Sequence, residues 1–342
     1  MHRVFRMMIF LCGLALVNGC AFDWNRKREP SGPSPVGSLS EARTVAERFL
    51  AARVAGVESE ELKTYFSPRG WESLTEGRTG RALESGERPL TGYSVGRAAI
   101  RPENKFVVET AVQSVYTGQP TAQNIRESLV LVYQDGRYLI DSVLEIRQTV
   151  LFARNRQLVI RNEQGERPVL SLSQLPQELS PQGAGPEVRF GFGRDRFVAA
   201  AVSPDDQRIA YGTAGTHGGL GWADLSQTPA RNYPLDLIFE GSATLLVFSP
   251  TGRYLAAQYL SATGNQGLRI YQPEQNRWLD FKLGAQFPPE QYSLVLRNWE
   301  EDGSSLLFRV NPGAGVTAPD AAKLGDWELD VIGGTLNRSL NR

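Results

Sequence analysis

The hydrophobic and polar positions of this chain change their period from one stretch to the next. Arg3 and Arg6 precede an apolar run over residues 7–17, interrupted only by the small Cys12 and Gly13. A run this short is a signal-peptide core, because a membrane-spanning helix needs about 20 apolar residues. Residues 21–37 have no apolar period and contain Arg26-Lys27-Arg28-Glu29-Pro30-Ser31-Gly32-Pro33-Ser34-Pro35, the composition of an extended, solvated tether. Helical spacing begins at Ser38-Leu39-Ser40-Glu41, a capping box, and continues through Ala42, Val45, Ala46, Phe49, Leu50 and Val54 to Gly56. Shorter helices are predicted near 58–65 and 69–74, and Gly77, Gly80 and Gly86 mark a loose connection.

From Tyr93 the period is two. Residues 93–101, 105–116 and 128–133 alternate, Asp135-Gly136 is a tight hairpin signal, and 137–146 is the return strand. Helices followed by at least four antiparallel strands predict an α+β layer, a curved sheet wrapped around the first helix. From Thr149 the texture is all-β, and a repeat is visible at 197–211 and 243–257, with a degenerate third copy at 294–308. Each copy is strand, turn, strand. The turns read Ser203-Pro204-Asp205-Asp206, Ser249-Pro250-Thr251-Gly252 and Glu300-Glu301-Asp302-Gly303. Proline sets φ in the first two, and Gly or Asp tolerates the left-handed position. Further strands at 268–271 and 278–283 bring the second unit to four, the blade of a β-propeller. A diverged blade is predicted within 149–193, from strands at 150–153, 157–161, 168–172 and 188–193. That makes about four blades, as a small propeller or an open stack, with 312–324 as a surface loop.

Three resemblances sharpen this reading. Val17-Asn18-Gly19-Cys20 resembles the bacterial lipobox, although Asn18 stands where Ala, Ser or Thr is usual. The resemblance implies that Cys20 carries a diacylglyceryl thioether and begins the mature protein at the cell membrane or outer membrane, on the extracytoplasmic face. Leu131-Val132-Tyr133-Gln134-Asp135-Gly136-Arg137-Tyr138-Leu139-Ile140-Asp141, with the opening helix, resembles the last hairpin of the cystatin-like cone in the SnoaL-like and nuclear-transport-factor-two-like superfamily. Phe248-Ser249-Pro250-Thr251-Gly252-Arg253-Tyr254-Leu255-Ala256 is similar to TolB-like and WD-type propeller blades, without the Trp-Asp signature. The implied organisation is a signal peptide at 1–19, a tether at 20–37, a cystatin-like α+β cone at 38–148 and a β-propeller-like domain at 149–342.

Composition narrows the chemistry. Lys+Arg and Asp+Glu are both 37, without the basic excess of a nucleic-acid binder. Both cysteines, Cys12 and Cys20, lie at the N-terminus, and beyond His2 the only histidine is His217. Neither a His-rich zinc site nor a Cys-His pair can be built from these, so no metal or cofactor is expected. His217 lies in Gly215-Thr216-His217-Gly218-Gly219-Leu220-Gly221, which lacks the Gly-Lys-Ser/Thr ending of a phosphate loop and reads as a loop between strands. A Ser-His-Asp hydrolase would need His217, and no Gly-x-Ser-x-Gly elbow accompanies it. Phe190-Gly191-Phe192-Gly193 has Arg196 where a dinucleotide fingerprint needs its third glycine, and reads as strand. Asp205-Asp206 and Glu300-Glu301-Asp302, in the repeat turns, are expected to face solvent. Candidate ligand contacts are His217 and, lining the cone, Tyr93, Tyr116 and Asp141.

The expectation is a non-enzymatic, lipid-anchored binding or scaffold protein that presents its propeller-like surface to an envelope protein, peptide or glycan. The alternative is an envelope enzyme, isomerase- or hydrolase-like, using the cone cavity.

Overall fold

The computed structural model describes residues 37–76, 90–181 and 183–339. The signal at 1–19, Cys20, the tether as far as Val36, and Gly77, Gly80 and Gly86 lie outside the described residues. Helix α1 (Leu39–Ala55) begins where Ser38 Oγ accepts the Glu41 N–H at 3.1 Å, and ends at Gly56, whose φ of 72° suits a residue without a Cβ. Its buried face is Ala42, Ala46, Phe49, Leu50 and Arg53. Helices α2 (Ser59–Lys63) and α3 (Pro68–Glu76) follow.

Six antiparallel strands come next, hydrogen-bonded in chain order: β1 (Leu90–Arg101), β2 (Lys105–Val115), β3 (Thr121–Gln134), β4 (Arg137–Arg154), β5 (Gln157–Asn162) and β6 (Gly165–Ser171). Phe49, Leu50, Phe66, Phe106, Leu129, Leu131 and Ile140 fill the space between helices and sheet, and Phe66 meets Phe49 edge-on at 5.2 Å.

Strand β4 runs straight through residue 148, the expected domain boundary, because Gln148-Thr149-Val150-Leu151-Phe152 holds no turn residue. The chain reverses only at Asn155 and Arg156, both at positive φ. The stretch expected to make a separate fourth blade therefore extends the N-terminal sheet through β5 and β6. Of 188–193, only β8 (Phe190–Gly191) is strand, paired with β7 (Glu178–Leu179). One continuous sheet thus serves two cores. Phe106, Leu129 and Ile140 pack toward the helices, while Val115, Ala122, Leu151, Leu158 and Ile160 pack with the sheets that follow.

Those sheets are three antiparallel meanders of four strands. The first is β9 (Arg196–Val202), β10 (Arg208–Ala214), β11 (His217–Asp224) and β12 (Arg231–Phe239). The second is β13 (Ser242–Phe248), β14 (Leu255–Leu260), β15 (Gln266–Gln272) and β16 (Arg277–Leu279). The third is β17 (Tyr292–Trp299), β18 (Ser305–Pro312), β19 (Gly325–Asp330) and β20 (Thr335–Arg338). Each repeat turn joins the first two strands of its meander, so the sequence repeat is a repeat of propeller-like sheets. The strand expected at 278–283 stops at Leu279, and a short helix occupies Leu283–Gln286.

The three repeat turns lie in a row. A Cβ on Gly252 would come 3.6 Å from Pro204, and one on Gly303 would come 2.9 Å from Thr251 Oγ1. The row docks on the N-terminal sheet. Gln113 donates to the Val202 carbonyl at 3.4 Å, and Arg126 to that of Pro204 at 3.3 Å. Asn124 donates to the Ser203 carbonyl at 2.5 Å and to Asp206 at 3.0 Å, while Arg147 meets Asp206 at 3.2 Å. From the third turn, Glu301 accepts from the Val95 N–H and from Arg43, each at 3.3 Å. The expectation that these acids face solvent is corrected for Asp206, whose side chain is only 7% exposed. A carboxylate can leave water there because a guanidinium and a carboxamide replace its hydration.

Candidate docking site at the open end of the sheets

The far end of the β9–β12 sheet carries the residues of interest. His217 opens β11 and lies opposite Phe239, the last residue of β12, while Phe190 approaches from β8. The His217 ring is 4.9 Å from that of Phe239 and 5.8 Å from that of Phe190, and the two phenyl rings are 5.0 Å apart, all edge-on. Such contacts between faces and edges are favourable for aromatic rings. Phe190 is 37% and Phe239 43% exposed, and Val188 and Leu260 are also open to solvent. His217 Nδ1 is buried with no hydrogen-bond partner. The ring is held by its aromatic neighbours and not by a polar network at that nitrogen.

Gly215 and Thr216 make the expected turn between β10 and β11, but from His217 on the glycine-dense stretch read as a loop is strand. Glycines inside a strand permit close approach. A Cβ on Gly218 would sit 2.5 Å from the Gly241 carbonyl, and one on Gly219 2.3 Å from the Phe192 ring. These positions bring backbone and ring layers together beneath His217. In the sequence Phe190 belongs only to a failed dinucleotide motif and a predicted strand, and nothing marks Phe239. Phe239 follows the buried Leu237 and Ile238, so strand alternation flags it only once the β11 pairing is known.

The other candidate residues are not brought together. Tyr93 is buried on β1, its hydroxyl pushed up to about 12 by burial and then by the carboxylates of Glu301, Glu300 and Glu47. Asp141 accepts from Ser67 Oγ at 2.9 Å, and the same oxygen accepts the Gly70 N–H at 2.9 Å, fastening the start of α3 to β4. Tyr116 lies in the β2–β3 turn, its N–H bonded to the Thr121 carbonyl at 3.0 Å. Among the described residues no group of three or more His, Cys, Asp and Glu is placed to hold a metal ion.

Sequence reasoning also missed a cleft of about 590 Å³ between the end of α1, the start of β1 and the outer face of the third meander. Arg297, Asn298, Arg309, Asp326 and Glu328 line it. Arg309 grips Asp326 through two bonds of 2.8 and 2.5 Å, and this hydrogen bonding holds the Asp326 carboxyl below the usual range. The signal was alternation on β18, where Leu306, Phe308 and Val310 are buried between Leu307 and Arg309. The third meander therefore packs one face and leaves the other polar.

No protein-family model matches the chain, and no curated protein matches it. Solved structures do. A putative TolB from Agrobacterium tumefaciens aligns at 11% identity and TM-score 0.34, over 72% of this chain and 80% of that one. TolB from Acinetobacter baumannii aligns at 10% identity and TM-score 0.33, over 72% and 68%. A nidogen/laminin complex aligns at 9% identity and TM-score 0.32, over 73% and 79%. Likenesses this distant lend nothing to a functional reading, which rests on the chain's own geometry.

Proposed function

We propose that this chain is a lipid-anchored protein of the extracytoplasmic face of a bacterial membrane, and that it binds a protein or peptide at the open end of its β-sheets. The observation that carries the binding role is the joined, solvent-facing cluster of Phe190, His217 and Phe239. Aromatic rings left in water at one place on a surface mark interaction sites, and aromatic side chains dominate the energetics of protein interfaces. The anchor reading rests on the basic-then-apolar N-terminus and on Cys20. Scaffold or adaptor action suits a fold that repeats one sheet and exposes loops at its ends.

The test is affinity capture of the full chain from detergent-solubilised envelopes, beside the Phe190→Ser/Phe239→Ser variant. Loss of a single interface anchor weakens binding about thirtyfold or more. The double variant is expected to lose its partner while keeping its thermal unfolding profile, and unchanged capture would overturn the reading. Point variants are preferable to truncation after residue 148, because β4 continues through that position.

A further inference from the structure

The outer face of the six-stranded sheet, turned away from α1, holds a second feature. Arg69 and Ser73 of α3, Arg101 and Lys105 at the β1–β2 hairpin, and Ser142 of β4 line a cleft of about 350 Å³. Its floor is Val107 and Val130, which lie in register with Ser142 across three strands. Asp141 also lines the cleft, with one carboxylate oxygen occupied by Ser67, and Lys105 is paired with Glu103 at 2.9 Å. Among the described residues neither Arg69 nor Arg101 has a side-chain hydrogen bond or an ion pair. Two positions along β4 from Ser142, on the same face, Leu144 is 54% exposed, and Ile146 beyond it is 55% exposed. The repeat turns cover this face only from Arg126 onward.

We propose that this face docks on an anionic phospholipid surface, the Arg69–Arg101–Lys105 cleft seating a headgroup phosphate and Leu144 and Ile146 lying against the acyl boundary. Guanidinium and ammonium groups beside serine hydroxyls suit a phosphate oxyanion. Exposed aliphatic side chains next to cations match a bilayer interface, which offers anionic charge and hydrocarbon within a few ångströms. The contact is independent of Cys20 and of the aromatic end, so its failure leaves both of those readings standing.

The experiment is calorimetric titration of the detergent-solubilised full chain with inorganic phosphate, short-chain phosphatidylglycerol and short-chain phosphatidylcholine. Phosphatidylglycerol is expected to bind at least tenfold more tightly than phosphatidylcholine. At about fivefold per basic residue, Arg69→Gln/Arg101→Gln weakens it about twenty-fivefold. Leu144→Ser/Ile146→Ser is expected to remove the margin of phosphatidylglycerol over free phosphate. Equal binding of phosphatidylglycerol and phosphate would overturn the lipid surface as the source of the anion. Absence of binding to either, or an arginine variant that binds unchanged while keeping its circular dichroism spectrum, would overturn the site.

Discussion

The β9–β12 sheet has two ends, and their fates are opposite to what their side chains suggest. At one end the turn Ser203-Pro204-Asp205-Asp206 docks on the N-terminal sheet, where Asp206 is nearly sealed from water while Asp205 stays half exposed. At the other end Phe190 and Phe239 stand in solvent around His217. Polarity did not decide which end was covered. The covered end is one where a neighbouring sheet offers Gln113 to the Val202 carbonyl, Asn124 to the Ser203 carbonyl and, with Arg147, to Asp206. The open end has no such cover among the described residues, which is why its rings are candidates for binding and not for stability.

The comparison can be broken most forcefully at Trp299. It is fully buried at the sealed side, stacked on Tyr254, and its Nε1–H donates to the Val247 carbonyl at 3.3 Å. Trp299→Ala is expected to cost about 3–5 kcal/mol in chemical denaturation, as large core truncations do. A loss under about 1 kcal/mol would mean that the sheets are not packed as one core.

A sharper contrast sets Asp206→Ala against Phe239→Ser. The first takes the carboxylate from Arg147 and one of two acceptors from the Asn124 amide, which keeps the Ser203 carbonyl, and is expected to cost about 1–3 kcal/mol. The second removes an exposed ring and is expected to stay within about 0.5 kcal/mol of the parent. Equal losses for the two would erase the distinction between the ends.

The smallest effect is one of pH. Burial, and after it the neighbouring Glu47 carboxylate, push the Glu301 carboxyl up against the opposing pull of the Val95 N–H and Arg43. A carboxyl raised in the folded state contributes stability that is fully present below its unfolded value and is lost as pH rises through the folded value. The melting temperature of the parent relative to Glu301→Gln is therefore expected to fall between pH 4 and pH 7. A relative melting temperature that climbs over that range would show that Arg43 and the Val95 N–H outweigh burial.

Local signals were legible where one short stretch carries the whole instruction. Ser38 and Glu41 open a helix and Gly56 closes it, and Asp135-Gly136 turns a hairpin between β3 and β4. The turns at 203, 249 and 300 announce three copies of one sheet because each specifies a strand reversal within a few residues. His217 was a candidate from scarcity alone. Its partners Phe190 and Phe239 were not legible as a group, because strand pairing between β11 and β12 and the approach of β8 bring together rings from distant segments. Tyr93, Tyr116 and Asp141 shared a predicted sheet, but they sit on different strands and turns and meet different neighbours.

What the sequence determined by itself is the order of elements, the antiparallel character of the sheets and the threefold repeat, since each follows from period, cap and turn chemistry within a few residues. Only the tertiary structure decided that β4 runs on into β5 and β6, that Asp206 and Glu301 of the acidic turns join an inner seam, and that the aromatic end stays open. Those outcomes depend on which surfaces meet, and a surface such as the Asn124 row reads in sequence like any solvent-facing strand until the turn that covers it is in place.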